Sequence, residues 1–405
     1  MRTLVRWSNS TAAIVGGSIG GLTVGLLLRQ LGFHVDIYER TEEELDGRGG
    51  GIVLQPETLR WFKEMSDQSP EQIATTSHVF RCISPTRGDI AFDEAVEWRF
   101  SSWSTLYRAL LADFGREDYH LGFGVTDFSQ NEDRVELSFS NGETRTADLV
   151  IFADGVGSIG RQKLLPEVQP EYSGYIGWRG TVPEGEMSAE ALELLDDALG
   201  YCFGISSHIC MYPIPGLRGE IERGDRLMNY VWYQNVNEGT DLDEMMTDID
   251  GFRGLISVPP GRVQQRFIDT MKEQVVSILA PAAAELVRKT EYPYIQAILD
   301  VRVPQMAFGR IAIMGDAAFV GRPHAAAGSA KAADDAWALF DTFNTTDSGI
   351  PEVLRAWEPG RLAVGNALID RVVAMGRRAQ FDNTWEPTDL NLRFGLTKGV
   401  LQPQY

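Results

Sequence analysis

The chain has 405 residues, enough for two or three lobes with sizeable cores, and its 43% hydrophobic and 23% charged residues are those of a globular protein in water. A formal net charge of −20 repels phosphate backbones and anionic lipid, which excludes nucleic acid and membrane surfaces as expected partners. An anionic small molecule would need a locally basic pocket, and three cysteines in so long a chain suit a reducing, cytoplasmic compartment rather than a disulfide framework.

The uncharged stretch "AAIVGGSIGGLTVGLLL" (12–28), behind a basic start, has the look of a targeting segment. It falls short of the ~20 residues a spanning helix needs, is broken by five glycines, and is followed by no cleavage site. Ala12–Val15 instead reads as a buried parallel strand, Gly16-Gly17-Ser18-Ile19-Gly20-Gly21 as a tight turn, and Leu22–Leu31 as a helix stopped by Gly32. "FHVDIY" is a second strand ending in Glu39 and Arg40, about 20 residues past the first glycine. Glycine lets the backbone approach a pyrophosphate, the helix start offers free N–H groups to it, and Glu39 is placed to accept from an adenosine ribose. Ser18 stands where G-x-G-x-x-G has its second glycine; its small hydroxyl can itself donate to phosphate. The fingerprint predicts a dinucleotide site but does not separate NAD from FAD.

Arg48 with Gly49-Gly50-Gly51 marks a flexible loop, and Gln55 precedes the helical "PETLRWFKEM". Residues 80–100 alternate like antiparallel strands. "STLYRALLADFG" reads as a helix, "HLGFGVTDF" as one strand, and Asn141-Gly142 as a hairpin turn. "ADLVIFADGVGSIGRQKLL" (147–165) then runs from an apolar strand into Asp154-Gly155. Within 170–300, "HICMYPIP" and "MNYVWYQNV" read as strands, "AEALELLDDAL" and "PAAAELVRKT" as helices. A strand places His208, Cys210 and Tyr212 on one face, either lining a cavity or simply half-buried. Cys202, His208 and Cys210 match no standard zinc spacing, so no metal is expected. "GYIGWRG" offers Trp178 as an aromatic wall and Arg179 as a cation that either orients an oxyanion or pairs at the surface. His34 and His120 read as structural. The strand Ile311–Met314 ends at Gly315-Asp316, and past Pro323 a helix of small residues begins near Ala327-Gly328-Ser329. Asp334 and Asp335 read as a solvated or packed helix face rather than an acid–base pair. The helical stretch 353–380 is expected to break at Pro359-Gly360, and the irregular 381–405 to pack on a partner subunit.

The Asp154-Gly155 stretch, with Ser158 and Arg161, resembles the Asp-Gly motif of the flavoprotein aromatic hydroxylases. The stretch 309–339 resembles their Gly-Asp motif, and with the glycine fingerprint the likeness runs end to end. "YERTEEELDGRGGGIVLQPE", "GYIGWRGTV", "YPIPG" and "GRPHAAAGSAKAADDA" resemble the branch acting on hydroxypyridines. Departures are Ala326 and Ala327 where glycine is usual, Ala330 for asparagine, and Trp103 for arginine.

The resemblance implies a mixed α/β (α+β) fold: a Rossmann-like FAD-binding lobe (1–75, 104–165 and 305–340) interleaved with a β-sheet substrate lobe (76–103 and 166–304), then C-terminal helices (341–405). It implies bound FAD, held by Gly16, Gly17, Ser18, Ile19, Gly20, Glu39, Arg40, Arg48, Gln55, Val125, Asp154, Gly155, Asp316, Ala327, Gly328 and Ser329. Asp316 would hold the ribityl chain, Val125 would neighbour adenine, and the Ala327 helix start would steady the reduced ring. NADH or NADPH would bind transiently, and O2 would be spent through a flavin C4a-hydroperoxide that hydroxylates an electron-rich N-heteroaromatic. His324 would lie beside the flavin as base or substrate contact, or cap a backbone group, with His208 and Tyr212 as further catalytic candidates. The same scaffold also serves phenol hydroxylases and epoxidases, and a flavin-binding regulator without turnover would keep the cradle; a homodimer is expected.

Overall fold

The computed structural model describes residues 7–47 and 50–396. Three sheets organise it, and the first explains the motifs. Its six strands run in the order Ala307–Phe308, Ile311–Ile313, Leu149–Phe152, Thr11–Val15, His34–Glu39, Tyr119–Leu121, all parallel except the Ala307–Phe308 pairing. Thr11–Val15 is central because its apolar run can be buried on both faces, as a parallel strand between helices requires. The helix Ile19–Gln30 that follows is buried along most of its length. The uncharged opening stretch is thus the middle of a folded core, and among the described residues no helix is long and apolar enough to cross a membrane.

Gly16, Asp154 and Asp316 follow the carboxyl ends of three adjacent parallel strands. Loops at that edge are where open α/β sheets bind ligands, and here distant motifs meet because their strands are neighbours.

The second, ten-stranded sheet pairs Ser257–Val258, Tyr294–Arg302, Glu171–Pro183, Leu227–Asn235, Ser207–Ile214, Ala198–Gly204, Thr75–Ile83, Ile90–Ser102 and Gly51–Leu54 in that order, with Phe319–Val320 alongside Tyr294–Arg302. Gly51–Leu54 thereby carries the chain of the first lobe onto the second sheet. A small meander, Val125–Gln130, Val135–Phe139 and Thr144–Ala147, turns at Gly142.

Two expectations are corrected. "HLGFGVTDF" is two strands in different sheets, Tyr119–Leu121 and Val125–Gln130, because Gly122 takes a left-handed φ of 77° and turns the chain between them. Pro359 does not break the C-terminal helix, which runs unbroken over Ile350–Arg377. Anchors flank the proline: Trp357 Nε1 donates to Asp335 O, Glu358 accepts from Met306 N and Ala307 N, and Arg361 pairs with Asp334. Tertiary fixing of both halves overrides the lost helix bond. The described part of the tail packs on its own chain: Trp385 stacks on Phe203 at 3.8 Å, Phe394 meets Trp98, and Arg393 pairs with Glu94.

Candidate active site

One cleft of about 1190 Å³ runs from the glycine turn to the face of the large sheet. At its nucleotide end Gly16, Ser18, Ile19, Gly20, Glu39, Arg40 and Val125 line the wall. Gly16 has φ +104°, and a Cβ there would fall 2.5 Å from Ala153 O, so the turn can only be glycine. Gly17 lies behind the wall, where its N–H donates to Glu39 Oε2 at 2.9 Å, while Thr41 N–H donates to Glu39 Oε1 at 3.1 Å. Glu39 therefore clamps the turn as well as facing the cleft, a role the spacing alone does not show. The Ser18 hydroxyl accepts nothing from its own helix.

Further along, Asp154, Gly155, Asp316, Ala327, Gly328 and Ser329 converge on the same cleft. Asp154 Oδ2 accepts from Ile159 N at 2.8 Å, but its buried Oδ1 has no partner. Burial pushes the Asp154 carboxyl above its usual pKa. Asp316 lines the cleft with an exposed side chain, and the protein packed around it raises its pKa too, against the opposing pull of Lys331 and Arg161. Arg161, buried, donates to Ala317 O at 2.9 Å and to Val156 O, tying the two aspartate loops together.

The approach to the Gly328–Thr345 helix departs from its expected glycine at a cost. Ala326 sits in the left-handed region at φ 49°, ψ 36°. Gln55 holds it there: its Nε2 donates to Ala326 O at 2.5 Å and to Ala325 O at 3.3 Å. Gln55 does not itself line the cleft. Arg48 lies outside the described residues.

The far wall is built from the large sheet by alternation. Tyr201, Cys210, Val231, Arg179 and Tyr294 form one row across five strands, and Phe203, His208, Tyr233 and Gln296 lie on the next. His208, Cys210 and Tyr212 all face the cleft, as their spacing predicts. Trp178 does not: adjacent to Arg179 in the strand, it must point to the other side, where it is buried and its Nε1 donates to Gln234 Oε1 at 2.8 Å. Cys202 likewise faces away from Cys210, under Ala280.

His324 meets this wall from the cofactor side. Its Nε2 is 2.7 Å from Tyr175 Oη, and its ring lies 5.2 Å from that of His208 and 4.9 Å from that of Tyr233. His208 Nδ1 is 2.5 Å from Gln380 Nε2. Burial lowers the His208 pKa to about 3 and that of His324 well below its usual value, helped by His208 and Arg322, so both rings are neutral at pH 7. Tyr175, Tyr233 and Gln380 are functional neighbours the sequence reading missed; the period of two from Arg179 points to Tyr175, but nothing local points to Gln380.

These groups fit a long ligand with a phosphate-bearing end and a polar chain. The orphaned Asp154 Oδ1 wants a hydroxyl or N–H donor, Asp316 offers a second acceptor, and the Gly328 helix start carries no side-chain cap on its free N–H groups. A model of FAD binding domain-like proteins matches residues 172–300. The fold is shared with a Klebsiella pneumoniae HpxO structure complexed with FAD and uric acid, at TM-score 0.77 and 20% identity, covering 94% of this chain and 91% of that one.

The chain belongs to the FAD-dependent aromatic-ring monooxygenases, enzymes that spend NADH or NADPH and O2 to place one oxygen atom on a ring. It is 37% identical over 386 residues to the 2,6-dihydroxypyridine 3-monooxygenase of Paenarthrobacter nicotinovorans, covering 95% of this chain and 96% of that protein. A solved 2,6-dihydroxypyridine-3-hydroxylase from Arthrobacter nicotinovorans superposes at TM-score 0.91 with 35% identity, covering 96% of this chain and 97% of that one. The 6-hydroxynicotinate 3-monooxygenase of Bordetella bronchiseptica is 25% identical over 94% of this chain and 92% of its own length.

Proposed function

We propose that this enzyme hydroxylates an electron-rich N-heteroaromatic ring of the hydroxypyridine class. The observation that carries the reading is the juxtaposition of two neutral histidines, His208 and His324, with an aromatic sheet face, where the cofactor half of the cleft opens onto the large sheet. Its similarity to two monooxygenases named for hydroxylated pyridines supports the same class.

In this reading residues 1–75, 104–165 and 305–340 form the cofactor lobe, and 76–103 and 166–304 the substrate lobe. Ser18 and the free N–H groups after it hold the pyrophosphate, Glu39 the ribose, and Asp154 and Asp316 the polyol chain. FAD, when bound, supplies nicotinamide-driven reduction and the activation of O2. The protein's share is to bind the ring flat, exclude water and manage one proton. Tyr175 keeps its own proton, because burial pushes its phenol pKa up, and it fixes His324 through Nε2. That leaves His324 Nδ1 as the ring nitrogen available to a substrate hydroxyl. As placed, the Gln380 amide donates to His208 Nδ1, so the His208 proton sits on Nε2 as a donor. Tyr212, stacked on Phe100 at 4.5 Å, lines the same face.

The test is NADH consumption and product mass over a panel of hydroxypyridines and phenols. Hydroxypyridines should accelerate NADH oxidation and gain one oxygen; acceleration by phenols alone would move the enzyme to the phenolic branch, and flavin binding without turnover would leave a regulator. Cytoplasmic residence, in keeping with three unpaired cysteines, and a homodimer belong to the same reading; light scattering of the holoenzyme decides the second.

A further inference from the structure

Arg179 is the part of the cleft that the roles above leave unused. It projects from the middle of the large sheet, between its register partners Val231 and Tyr294, into the same cavity as His208 and Tyr212. Among the described residues no carboxylate lies within ion-pairing distance of it, and its buried Nε has no hydrogen-bond partner. The other cations nearby are satisfied: Arg322 is paired with Asp300 at 2.8 Å and Lys331 with Asp335 at 2.5 Å. The two histidines are uncharged. Surface pairing, the alternative open at the level of sequence, is therefore not what this arginine does.

A guanidinium taken from water without a counter-charge is costly, and proteins rarely leave one so. The cost is offset if the counter-charge arrives with a ligand. The loop at Gly50 passes directly over the group: a Cβ there would lie 2.8 Å from Tyr294 Oη and 3.6 Å from Arg179 Nη1, so glycine keeps the space beside the cation open. With −20 overall, the protein repels anions at long range, and a local cation is what lets one enter.

We propose that Arg179 is the anion anchor of the substrate subsite, so that the ring binds as an oxyanion, its negative oxygen (an ionised ring hydroxyl or a ring-borne carboxylate) on the Arg179 guanidinium. The row spacing explains the geometry. Two residues along a strand span about 7 Å, so a ring held on the Arg179 row presents its far edge to the His208 row. An ionised ring hydroxyl makes the ring a stronger nucleophile, and the anchor stabilises that ionised form without a protonated histidine. The inference rests on the ring-hydroxylating function proposed above.

The experiment titrates FAD-loaded enzyme, followed by its flavin absorption, with matched ligands: 2,6-dihydroxypyridine against 2,6-dimethoxypyridine, which cannot ionise, and picolinate against picolinamide. Wild type should prefer the oxyanion member of a pair by at least about thirtyfold, and Arg179→Met should reduce that preference to about threefold or less. The first pair reports an ionised hydroxyl, the second a carboxylate. A preference that survives Arg179→Met, or wild type that binds neutral and anionic members alike, overturns the anchor. If Arg179→Met does not hold FAD, wild type alone decides: its affinity must rise as the ligand hydroxyl ionises, and an affinity that stays flat overturns the proposal. Failure of the hydroxypyridine reading looks different. Wild type then binds neither member of the first pair; a picolinate preference lost in Arg179→Met still upholds the anchor, and no preference or no binding in the second pair overturns it.

Discussion

Tyr175 and His324, 149 residues apart in the chain, are joined by a 2.7 Å hydrogen bond between Oη and Nε2, and the C-terminal helix presses Gly376 against both atoms. A Cβ at residue 376 would collide with Tyr175 Oη and lie 2.9 Å from His324 Nε2. A single methyl group there must part the pair. Gly376→Ala is expected to leave FAD content intact and to lower product formed per NADH, as His324→Ala should more severely. Tyr175→Phe should act the same way and destabilise by about 1–3 kcal/mol, because it strips a partner from a buried ring nitrogen. Tyr175→Phe and His324→Gln together should cost less than the sum of the two. Unchanged coupling in Gly376→Ala would remove His324 orientation from the mechanism.

The histidine pair also sets an acid limit. The His208 pKa, held at about 3 in the fold by burial, lies below the ordinary value of 6.5 it regains on unfolding. Between those values the unfolded chain binds the extra proton, so stability is whole above pH 6.5 and is lost as pH falls toward 3, with a slope near 1.4 kcal/mol per pH unit for one group. His324 adds a term of the same sign. Asp154, Asp316 and Asp335, whose pKa values are raised, act in the opposite sense. The clean measurement is therefore a difference: denaturant unfolding of wild type and His208→Gln from pH 7 to 4. The gap between them should shift in favour of the variant as pH drops; a constant gap would mean that His208 takes up its proton as readily in the fold as in the unfolded chain.

Much of this site was legible because its residues sit at strand ends or alternate along strands. The glycine turn, Asp154 and Asp316 each terminate an apolar run, and a parallel sheet brings such termini to one edge. His208, Cys210 and Tyr212 share a face by the period of two. That same rule separates Trp178 from Arg179, adjacent residues that cannot line one wall. What stayed hidden was set by tertiary contact: Gln55 bracing Ala326, Gln380 reaching His208, Gly376 lying over Tyr175. None has a local pattern, since each depends on which helix or loop crosses which sheet. Pro359 shows the converse, a local helix-breaking signal overruled by anchors on either side.

Ala326 is a position where the local rule was broken and left a reserve of stability. A non-glycine residue in the left-handed region costs about 1–2 kcal/mol, and Ala326 lies there at φ 49°. Ala326→Gly should recover part of that, offset by the greater freedom of glycine in the unfolded chain, for a net gain near 0.5–1 kcal/mol. Gln55→Ala should do the reverse, releasing the two carbonyls it binds and loosening the start of the Gly328 helix. Thermal unfolding of the flavin-free protein reads both, and no rise in Ala326→Gly would show that the loop carries no strain.

Asp154 and Asp316 should separate by what they leave behind. Asp154→Ala removes the carboxylate that Ile159 N–H uses, so it weakens both the protein and its hold on FAD. Among the described residues the Asp316 side chain accepts no hydrogen bond, so Asp316→Ala should cut FAD retention by tenfold or more, about 1.4 kcal/mol, with little loss of flavin-free stability. Equal FAD occupancy in Asp316→Ala and wild type would take that residue out of the cofactor site.

The pair behind Asp316 makes the sharpest distinction between breaking and replacing a buried charge. Lys331 Nζ lies 2.5 Å from Asp335 Oδ2, both side chains almost wholly enclosed, and Gly315 N–H donates to the same oxygen at 3.0 Å. Arg361 Nη1 approaches the other oxygen only to 4.0 Å. Lys331→Met would strand the Asp335 carboxylate in the core and should cost about 3–5 kcal/mol at neutral pH. Burial already raises the Asp335 pKa, and losing Lys331 raises it further, so the variant should recover stability as pH falls and Asp335 takes up a proton in the fold. Lys331→Met with Asp335→Leu removes both charges and should restore most of the loss, short of the one hydrogen bond from Gly315. Denaturant midpoints for the two variants at pH 7.5 and 5.5 test this: a Lys331→Met penalty that does not shrink on acidification would show that the cost is lost packing against Phe319, whose ring centre lies 4.7 Å from the ammonium, and not an unpaired charge.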